Sequence, residues 1–425
     1  MVFHDPNACQ AVRNGVMMEK LSKSIRQYML VTFNYWNFTV TDGALRMLVV
    51  LYFHQLGYSS LAVASLFIFY ELFGVVTNLI GGWLGARLGL NKTMNIGLIM
   101  QVCALLMLAV PSTWLTVAWV MVAQAVSGVA KDLNKMSAKS AIKTLVPNDQ
   151  SHTLYKWVAI LTGSKNALKG VGFFIGGLLL SVFGFQASML LMASVLSAVF
   201  IFSLIWLEKD MGKAKHKLPF RQIFSKSEPV NILSAARMFL FGARDVWFVV
   251  ALPIYLGNVF GWEHLQVAGF LAAWVIAYGF VQGLAPRITR RLNGTVPDGR
   301  AAVIWAVTLM CTVGLIAYSV QVNWQPQWVI TIGLMVFGAV FAINSSLHSY
   351  LIVEYAKADG VSLDVGFYYM ANAMGRLLGT LLSGWVYQQS GLAACLWVSF
   401  ICLIITAIIS LYLPRHIPQD HPKSC

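Results

Sequence analysis

Five basic side chains lie inside long apolar stretches of this sequence, namely Arg46, Lys165, Lys169, Arg244 and Arg376. An unpaired cation that faces lipid at the bilayer centre costs from about 3 to more than about 10 kcal/mol, so we expect these residues to face one another or a wet cavity. Guanidinium groups bind phosphate-like oxyanions through two parallel hydrogen bonds. The pattern predicts a positively charged cavity that binds an anion.

Three acidic residues, Asp42, Glu71 and Asp245, occur at similar depth and are too few to neutralise these bases. Asp42 precedes Arg46 by four residues, a spacing at which an acid and a base pair on one helix. That local ion pair is one interpretation; the other is that Arg46 binds the ligand together with Arg244. A partly desolvated carboxyl group can carry a proton, so the three acids are candidates for proton coupling as well as for ion pairing.

A second group of polar residues occurs nearer the ends of apolar stretches. The segment KDLNKMSAKSAIK repeats lysine every four residues from Lys131 to Lys143. We expect Lys131 and Lys135 to line the cytoplasmic mouth of the cavity. Lys139 and Lys143 are predicted to lie beyond the membrane span, as ordinary interfacial lysines.

Two further predicted ligand contacts, Asn344 and His348, lie four residues apart. His348 has two interpretations, a proton or anion site and a histidine whose nitrogens are hydrogen-bonded in the core. Lys169 and Arg376 also have two interpretations: either they bind the ligand, or they form ion pairs with Glu71 or Asp245 that lock the gate.

Membrane helices must position these residues, because 58% of the 425 residues are hydrophobic and only 11% are charged. A bilayer-spanning helix needs about 20 apolar residues. On that rule we predict an all-α membrane protein with twelve spans, at residues 28–53, 61–86, 94–111, 115–138, 154–182, 188–207, 230–257, 265–287, 301–320, 327–353, 363–388 and 392–413.

The chain is predicted to consist of two related halves. A polar segment at residues 208–229 separates a six-helix bundle at residues 1–207 from another at residues 230–425. An offset of 207 residues aligns KGVGFFIGG, from Lys169, with RLLGTLLSG, from Arg376. Such a duplication is typical of secondary transporters whose binding site lies between the halves.

Several classes of protein are disfavoured by composition. The net charge of +14 is concentrated in the segments that we predict to be cytoplasmic, which is the positive-inside pattern rather than a sign of nucleic-acid binding. Both termini are accordingly expected in the cytoplasm. The six cysteines form no CxxC pair, and the sequence shows neither a metal-ligand cluster nor a nucleophile beside a base, so we expect no metal, no cofactor and no enzyme activity.

The segment GGWLGARLGLNK, between the second and third predicted spans, resembles the signature of major facilitator superfamily transporters. That signature has a glycine, an acid, a basic residue, a glycine and further basic residues. Gly82, Arg87, Gly89 and Lys92 match it, whereas Ala86 stands where the acid is usual. The resemblance implies two six-helix bundles, and it implies that these four residues form a gating loop.

Within that superfamily the chain resembles the ArsJ-type organoarsenical efflux transporters. The resemblance is carried by NYWNFTVTDGALRMLVVLYFHQLGY from Asn34, FYELFGVVTNLIGGWLGARLGLNKTMN from Phe69, and KDLNKMSAKSAIK from Lys131. It implies a bacterial inner-membrane exporter of 1-arseno-3-phosphoglycerate. This compound forms when glyceraldehyde-3-phosphate dehydrogenase uses arsenate in place of phosphate, so a functional partnership with that dehydrogenase is implied. We expect a monomer.

The residues fit a substrate with an anionic group at each end. Arg46 with Arg244, and Lys165 with Lys169 and Arg376, would hold the two ends. An importer that exchanges organophosphate for phosphate, and a membrane protein that transports nothing, are the alternatives.

Overall fold

The computed structural model describes residues 6–57, 66–146, 151–208, 213, 227–262, 264–293, 297–357 and 361–415. All regular structure in these ranges is helical, which confirms the predicted fold class. The α-helices are α1 (Pro6–Gln55), α2 (Ile68–Leu88), α3 (Leu90–Leu108), α4 (Val117–Leu145), α5 (Ser151–Trp206), α6 (Glu228–Phe248), α7 (Ala251–Phe260), α8 (His264–Asn293), α9 (Gly299–Gln321), α10 (Pro326–Tyr355) and α11 (Val361–Ser410).

Two of the longest helices each contain a sharp turn. The backbone of α5 leaves helical geometry at Gly184 (φ 72°, ψ 178°), and that of α11 does so at Gly391 (φ 73°, ψ −171°). Glycine adopts such a positive φ without the steric cost that other residues incur. The two glycines are 207 residues apart, which is the offset that aligns Lys169 with Arg376. The turns therefore occupy equivalent places in the two halves.

Each of the twelve predicted spans corresponds to a described helix or helix segment. Spans five and six are the two segments of α5, span seven is α6 with α7, and spans eleven and twelve are the two segments of α11. The start of the second predicted span, at residues 61–65, lies outside the described residues. The largest differences from the predicted boundaries are that α1 begins at Pro6, α4 continues to Leu145 and α8 continues to Asn293.

Seven stretches of the described helices are long and apolar enough to cross a membrane. They are Leu90–Leu108, Ser151–Trp206, Glu228–Phe260, Gly269–Thr289, Gly299–Gln321, Pro326–Tyr355 and Val361–Ser410. Helices α1, α2 and α4 fall outside this set. Each of them carries a charged residue of the bundle, namely Arg46 on α1, Glu71 on α2 and Asp132 on α4.

The two ends of the bundle can be told apart by their contacts. At one end, which we call the linker face, the ends of α4 and α10 meet and the side chain of Asn91 donates a hydrogen bond to the carbonyl of Glu208. At the other end, the far face, Gln186 beside the turn of α5 donates to the carbonyl of Val110 at 3.0 Å. The position of a residue along its helix, relative to these two faces, gives its depth in the bundle.

Three buried apolar clusters stabilise the fold. One is formed within the N-terminal half, by residues from Phe38 to Val199, and another within the C-terminal half, by residues from Leu240 to Leu403. The third joins the halves near the linker face and includes Tyr155 and Tyr350. The halves are thus packed tightly against each other on the linker side.

Close backbone contacts between the halves depend on glycine. Across the halves, α2 packs on α11 and α5 packs on α8. A Cβ added to Gly82 would lie 2.5 Å from the carbonyl oxygen of Ser362, and one added to Gly163 would lie 2.6 Å from that of Gly279. Real Cβ atoms do not approach backbone so closely, so any larger residue at these two positions must move the halves apart.

Candidate functional site

Five charged residues from four helices form a continuous series of ion pairs, which we call the central charge chain: Arg46, Glu71, Arg376, Asp245 and Arg244. Nη2 of Arg46 lies 2.8 Å from Oε1 of Glu71, and Nη2 of Arg376 lies 3.4 Å from the same oxygen. Nε of Arg376 lies 3.4 Å from Oδ2 of Asp245, whose Oδ1 lies 2.5 Å from Arg244. Arg376 therefore joins acids of both halves.

The central charge chain is only partly covered by the rest of the protein. The side chains of Glu71 and Arg376 are 37% and 36% exposed, whereas that of Asp245 is 1% exposed. An anion that enters the bundle can therefore reach Arg376 and compete with Glu71 for it. Sequence reasoning had left two roles open for Arg376, ligand binding or bridging to Glu71 or Asp245, and the bridging contacts are present here.

Asp42 and Arg46 do not form the local ion pair that their spacing allows. Asp42 accepts a hydrogen bond of 2.7 Å from the hydroxyl of Tyr70, and Arg46 pairs with Glu71 instead. The Tyr70 ring lies between two cations, with Cζ of Arg46 at 4.0 Å and Nζ of Lys131 at 3.8 Å from its centroid. The ring face attracts both cations, which holds Arg46 and Lys131 close together despite their like charge.

Lys131 and Lys135 share an acid that sequence analysis missed. Asp132 is 2% exposed, and its carboxylate lies 2.5 Å from Nζ of Lys135 and 3.8 Å from Nζ of Lys131. The spacing of Asp132 and Lys135, three residues apart on one helix, was the available signal. Both lysines lie inside the bundle, with side chains 18% and 12% exposed, and each is at least partly neutralised.

Lys165 and Lys169 differ from the other bases of the site. Within the part of the chain that the structure describes, neither forms a hydrogen bond or an ion pair with an acid. The nearest ring to Lys169 is that of Phe173, whose centroid is 5.7 Å from Nζ. Both lysines lie within electrostatic range of Arg376 and of one acid, Asp132 for Lys165 and Asp42 for Lys169. Among the described bases of the site, these two lysines are the ones that have no acid in direct contact.

Counting the residues around the middle of the bundle gives an excess of positive charge. The described acids there are Asp42, Glu71, Asp132 and Asp245, and the bases are Arg46, Lys131, Lys135, Lys165, Lys169, Arg244 and Arg376. Net positive charge in a low-dielectric cleft raises the local concentration of anions.

A cavity of about 350 Å³ borders the central charge chain on the N-terminal half. It is lined by residues from α1, α2 and α5, namely Arg46, Met47, Val50, Phe67, Glu71 and Phe173. The charged side is the Arg46–Glu71 pair, and the remaining lining is apolar. The cavity is therefore next to a cation that is already paired with an exposed acid.

The linker side of the site is closed by contacts between the halves. Nζ of Lys143 donates to the carbonyl of Glu354 at 3.2 Å, and the carboxylate of Glu354 accepts a hydrogen bond of 3.0 Å from the hydroxyl of Ser151. The rings of Tyr155 and Tyr350 meet with their centroids 4.8 Å apart. We call the three polar residues, Lys143, Ser151 and Glu354, the linker-face latch.

The prediction that Lys139 and Lys143 are ordinary interfacial lysines was wrong. Lys139 is 3% exposed and is buried between the halves, and Lys143 is part of the linker-face latch. The physical reason is that α4 continues to Leu145, so both lysines extend from a packed helix rather than from a loop.

Asn344 and His348 are both fully buried in α10. The amide of Asn344 donates to the carbonyl of Trp305 at 2.7 Å, which favours a role in holding α9 against α10. His348 has no hydrogen-bond partner at either ring nitrogen among the described residues. Neither residue contacts the central charge chain.

The four residues of the predicted gating loop have different surroundings. Gly82 lies in the α2–α11 contact described above, and Gly89 adopts φ 97° where α2 ends and α3 begins. Arg87 lies over the ring of Trp83, with Cζ 5.1 Å from its centroid, and Lys92 is exposed. Ala86, in place of the usual acid, is fully buried.

Comparison with known proteins agrees with this architecture. The fold is similar to that of the human organic anion transporter MFSD10 (TETRAN), with a TM-score of 0.71, 15% identity and coverage of 91% of this chain and 99% of that chain. A bacterial homologue of the iron transporter ferroportin gives a TM-score of 0.72 and 12% identity, with coverage of 90% and 98%. For the proton:xylose symporter XylE the values are 0.70 and 13%, with coverage of 92% and 96%.

The search among curated proteins gave no match. At such low identities the structural similarity concerns the fold alone. The sequence model of the Major Facilitator Superfamily, however, matches residues 28–360. Because that match spans well over half of the sequence, the chain belongs to the Major Facilitator Superfamily and is a multi-pass membrane transporter.

Proposed function

We propose that the chain exports a small organic anion with an oxyanion at each end, and that the anion is 1-arseno-3-phosphoglycerate. The observation that carries this proposal is that Lys165 and Lys169, within electrostatic range of Arg376, have no acid in direct contact among the described residues. A site for a neutral or cationic substrate would not require two such basic groups in the membrane, where an unpaired cation is costly.

Binding would proceed by exchange of acid partners. One oxyanion of the substrate would replace Glu71 at Arg46 and Arg376, since both guanidinium groups now share a single oxygen of that exposed carboxylate. The other oxyanion would bind Lys165 and Lys169. Arg244 would hold Asp245 in place and so position Arg376, to which Asp245 is paired.

Such exchange offers a means of energy coupling. Once displaced, Glu71 is left without its counter-charges and becomes a stronger proton acceptor. A proton taken up there would be released when Glu71 pairs again with the arginines, so proton entry could drive anion exit by alternating access. If the transporter instead exchanges one anion for another, the second anion would compete with Glu71 for the arginines in the same way, and no proton would be needed.

The membrane arrangement is part of the proposal. By the positive-inside rule the linker face is cytoplasmic, with both termini on that side of a bacterial inner membrane. In the closed-linker conformation the central site would then be exposed to the outside. We propose further that the protein works as a monomer and receives its substrate from a glyceraldehyde-3-phosphate dehydrogenase.

Arsenate resistance provides the direct test. An arsenate-sensitive strain should gain resistance only when the transporter and the dehydrogenase are produced together. Arg46→Glu should abolish this gain, whereas Arg300→Gln, which changes an exposed arginine at the start of α9, should retain it. Equal resistance with Arg46→Glu at equal membrane abundance would contradict the binding assignment.

An importer that exchanges sugar phosphate for phosphate remains the second candidate, because paired arginines serve either substrate. The direction of transport separates the two. Everted vesicles should accumulate the organic anion if the protein is an exporter, and right-side-out vesicles should do so if it is an importer.

A further inference from the structure

A second group of buried polar residues, two of them basic, lies on the linker side of the central charge chain. It comprises Lys139, Arg237, His348, Tyr368 and Tyr369, which we call the linker-side cluster. Nζ of Lys139 is 5.1 Å from the ring centroid of Tyr369, and Cζ of Arg237 is 5.2 Å from that of Tyr368. The two tyrosine rings are themselves 5.0 Å apart. Arg237 is close enough to act electrostatically on both Lys139 and His348.

Both cations of the linker-side cluster are buried without an acid. Lys139 and Arg237 are each 3% exposed. Arg237 donates to the side-chain oxygen of Asn372 at 2.9 Å and to the carbonyl of Ser345 at 3.2 Å, and Lys139 reaches only the hydroxyl of Ser349, at 3.5 Å. No carboxylate of the described residues is within 4.0 Å of either, in contrast to Arg46, Lys135, Arg244 and Arg376. Burial of two like charges in this way is unfavourable unless an anion accompanies them or Lys139 gives up its proton, and a bound oxyanion would keep Lys139 charged.

The surrounding polar groups are of the kind that an anion requires. Both ring nitrogens of His348 are buried and have no hydrogen-bond partner among the described residues, and the buried hydroxyl groups of Tyr368 and Tyr369 lie near that of Ser349 without forming a hydrogen bond of normal geometry to it. A hydroxyl can donate, and so can one nitrogen of a neutral imidazole. Together with the ammonium of Lys139 and the guanidinium of Arg237, these groups form a set of donors from four helices.

The linker-side cluster adjoins Lys135, whose Nζ is 4.7 Å from the ring centroid of Tyr369, but it lies at a different depth from the central charge chain. Lys139 follows Asp132 by seven residues on α4, Arg237 precedes Arg244 by seven on α6, and Tyr369 precedes Arg376 by seven on α11. Seven residues are about two helical turns, or about 10 Å along each helix. On all three helices the displacement is toward the linker face. The cluster also joins the halves, because Lys139 belongs to the N-terminal half and the other members to the C-terminal half.

We propose that the linker-side cluster is a second oxyanion site, which takes a tetrahedral phosphate or arsenate group between the two halves and which is enclosed when the linker face closes. The group belongs either to free inorganic phosphate or to one end of an organic phosphate ester. This inference rests on the proposed function only for the direction in which the anion crosses the membrane. Binding of the anion to the linker-side cluster does not depend on transport.

Thermal unfolding of the full chain in lipid nanodiscs tests the site. Inorganic phosphate and 3-phosphoglycerate are the two probes, and the 14 tryptophans supply the fluorescence signal. Lys139→Met and Arg237→Met should each raise the Kd of the stabilising probe at least about tenfold, the effect of one lost hydrogen bond to a charged group. Arg300→Gln, which changes an exposed arginine at the start of α9 outside both sites, should leave that Kd within about threefold of wild type.

The Tm of the variants without probe gives a second readout, because the substitution that weakens probe binding should not lower the stability of the unliganded protein. Lys139→Met removes a buried charge that has no partner, so its Tm without probe should equal or exceed that of the wild type, although most core substitutions destabilise. Should this variant unfold, Lys139→Arg, which keeps the charge, should fold and retain probe binding.

The outcomes are distinct. Stabilisation by phosphate alone assigns the site to free oxyanion, and stabilisation by 3-phosphoglycerate assigns it to the end of an ester. If neither probe raises the Tm of the wild type, or if Arg376→Gln, in the central site, abolishes the rise while both Met variants keep it, the second site is overturned. If the wild-type protein binds the probe but exports no organic anion in the vesicle assay, the proposed function is overturned and this site is retained.

Discussion

Arg376 is hydrogen-bonded to Asp245 of its own half and to Glu71 of the other half, at 3.4 Å in both cases. Equal distances to two acids leave the guanidinium without a preferred partner. Because one acid is 1% exposed and the other 37%, we expect an incoming anion to displace Glu71 more readily than Asp245. In the proposed function, substrate binding would therefore break the connection between the halves.

Substitution Glu71→Gln should separate binding from coupling. It removes the carboxylate that competes for Arg46 and Arg376, so the affinity for the organic anion should rise about tenfold, in line with the usual size of a charge-assisted hydrogen bond. Exchange of labelled for unlabelled anion across vesicles should continue, while uphill export should cease. Uphill export at the wild-type rate would exclude Glu71 as the coupling residue.

The double substitution Lys165→Gln and Lys169→Gln should weaken binding without weakening the fold. Among the residues that the structure describes, neither lysine has an acid in contact that would be left unpaired, so membrane abundance and Tm should match the wild type. The Kd for the anion should rise at least about a hundredfold, because two charged contacts are lost. Lys92→Gln, an exposed lysine of the predicted gating loop, is the control and should change neither quantity. A fall in Tm with unchanged Kd would show that the lysines serve the fold.

The linker-face latch should bias the protein toward its present conformation. Glu354→Gln removes the charge that Lys143 faces and weakens the contact with Ser151, at a cost of up to about 1 kcal/mol, or about fivefold in the population of the closed-linker state. A cysteine placed at Ser349 should then react faster with a maleimide added from the linker side. Unchanged reactivity at Ser349 would mean that the apolar cluster, rather than the latch, sets the closure.

Gly82→Leu should prevent closure of the linker face. Its Cβ would lie 2.5 Å from the Ser362 carbonyl, so α2 and α11 must separate. Transport should fall at least about a hundredfold while the protein still reaches the membrane. Gly384→Ala is the matched control, because nothing lies within 4 Å of a Cβ at that position, and it should transport normally. Normal transport by Gly82→Leu would exclude this crossing as part of the gate.

Much of the architecture could be predicted because apolar span length is a strong local signal. The twelve spans, the offset between the halves and the intramembrane bases were all readable from residue type and spacing. The pairing of those bases was not, because it depends on helices distant in the sequence. Asp42 and Arg46 have ideal spacing for a local pair, yet Tyr70 and Glu71, from α2, take them as separate partners.

The end of α4 shows a second kind of limit. A count of apolar residues ends the span near residue 138, whereas the helix continues to Leu145 because the C-terminal half packs on it. Lys139 therefore became a buried residue for a reason that its neighbours in sequence do not reveal. Asp132 was overlooked because the two lysines beside it dominate the local charge.

The single-residue turns at Gly184 and Gly391 determine how motion of this protein can be observed. Since each turn joins two spans without a loop, a spectroscopic label beside it moves with the helices and adds little mobility of its own. Phe183 and Gln389 are both exposed next to these turns and lie on different halves. The distance between spin labels at these two positions would thus report, as a rigid displacement, how far the two halves move apart or together at the far face.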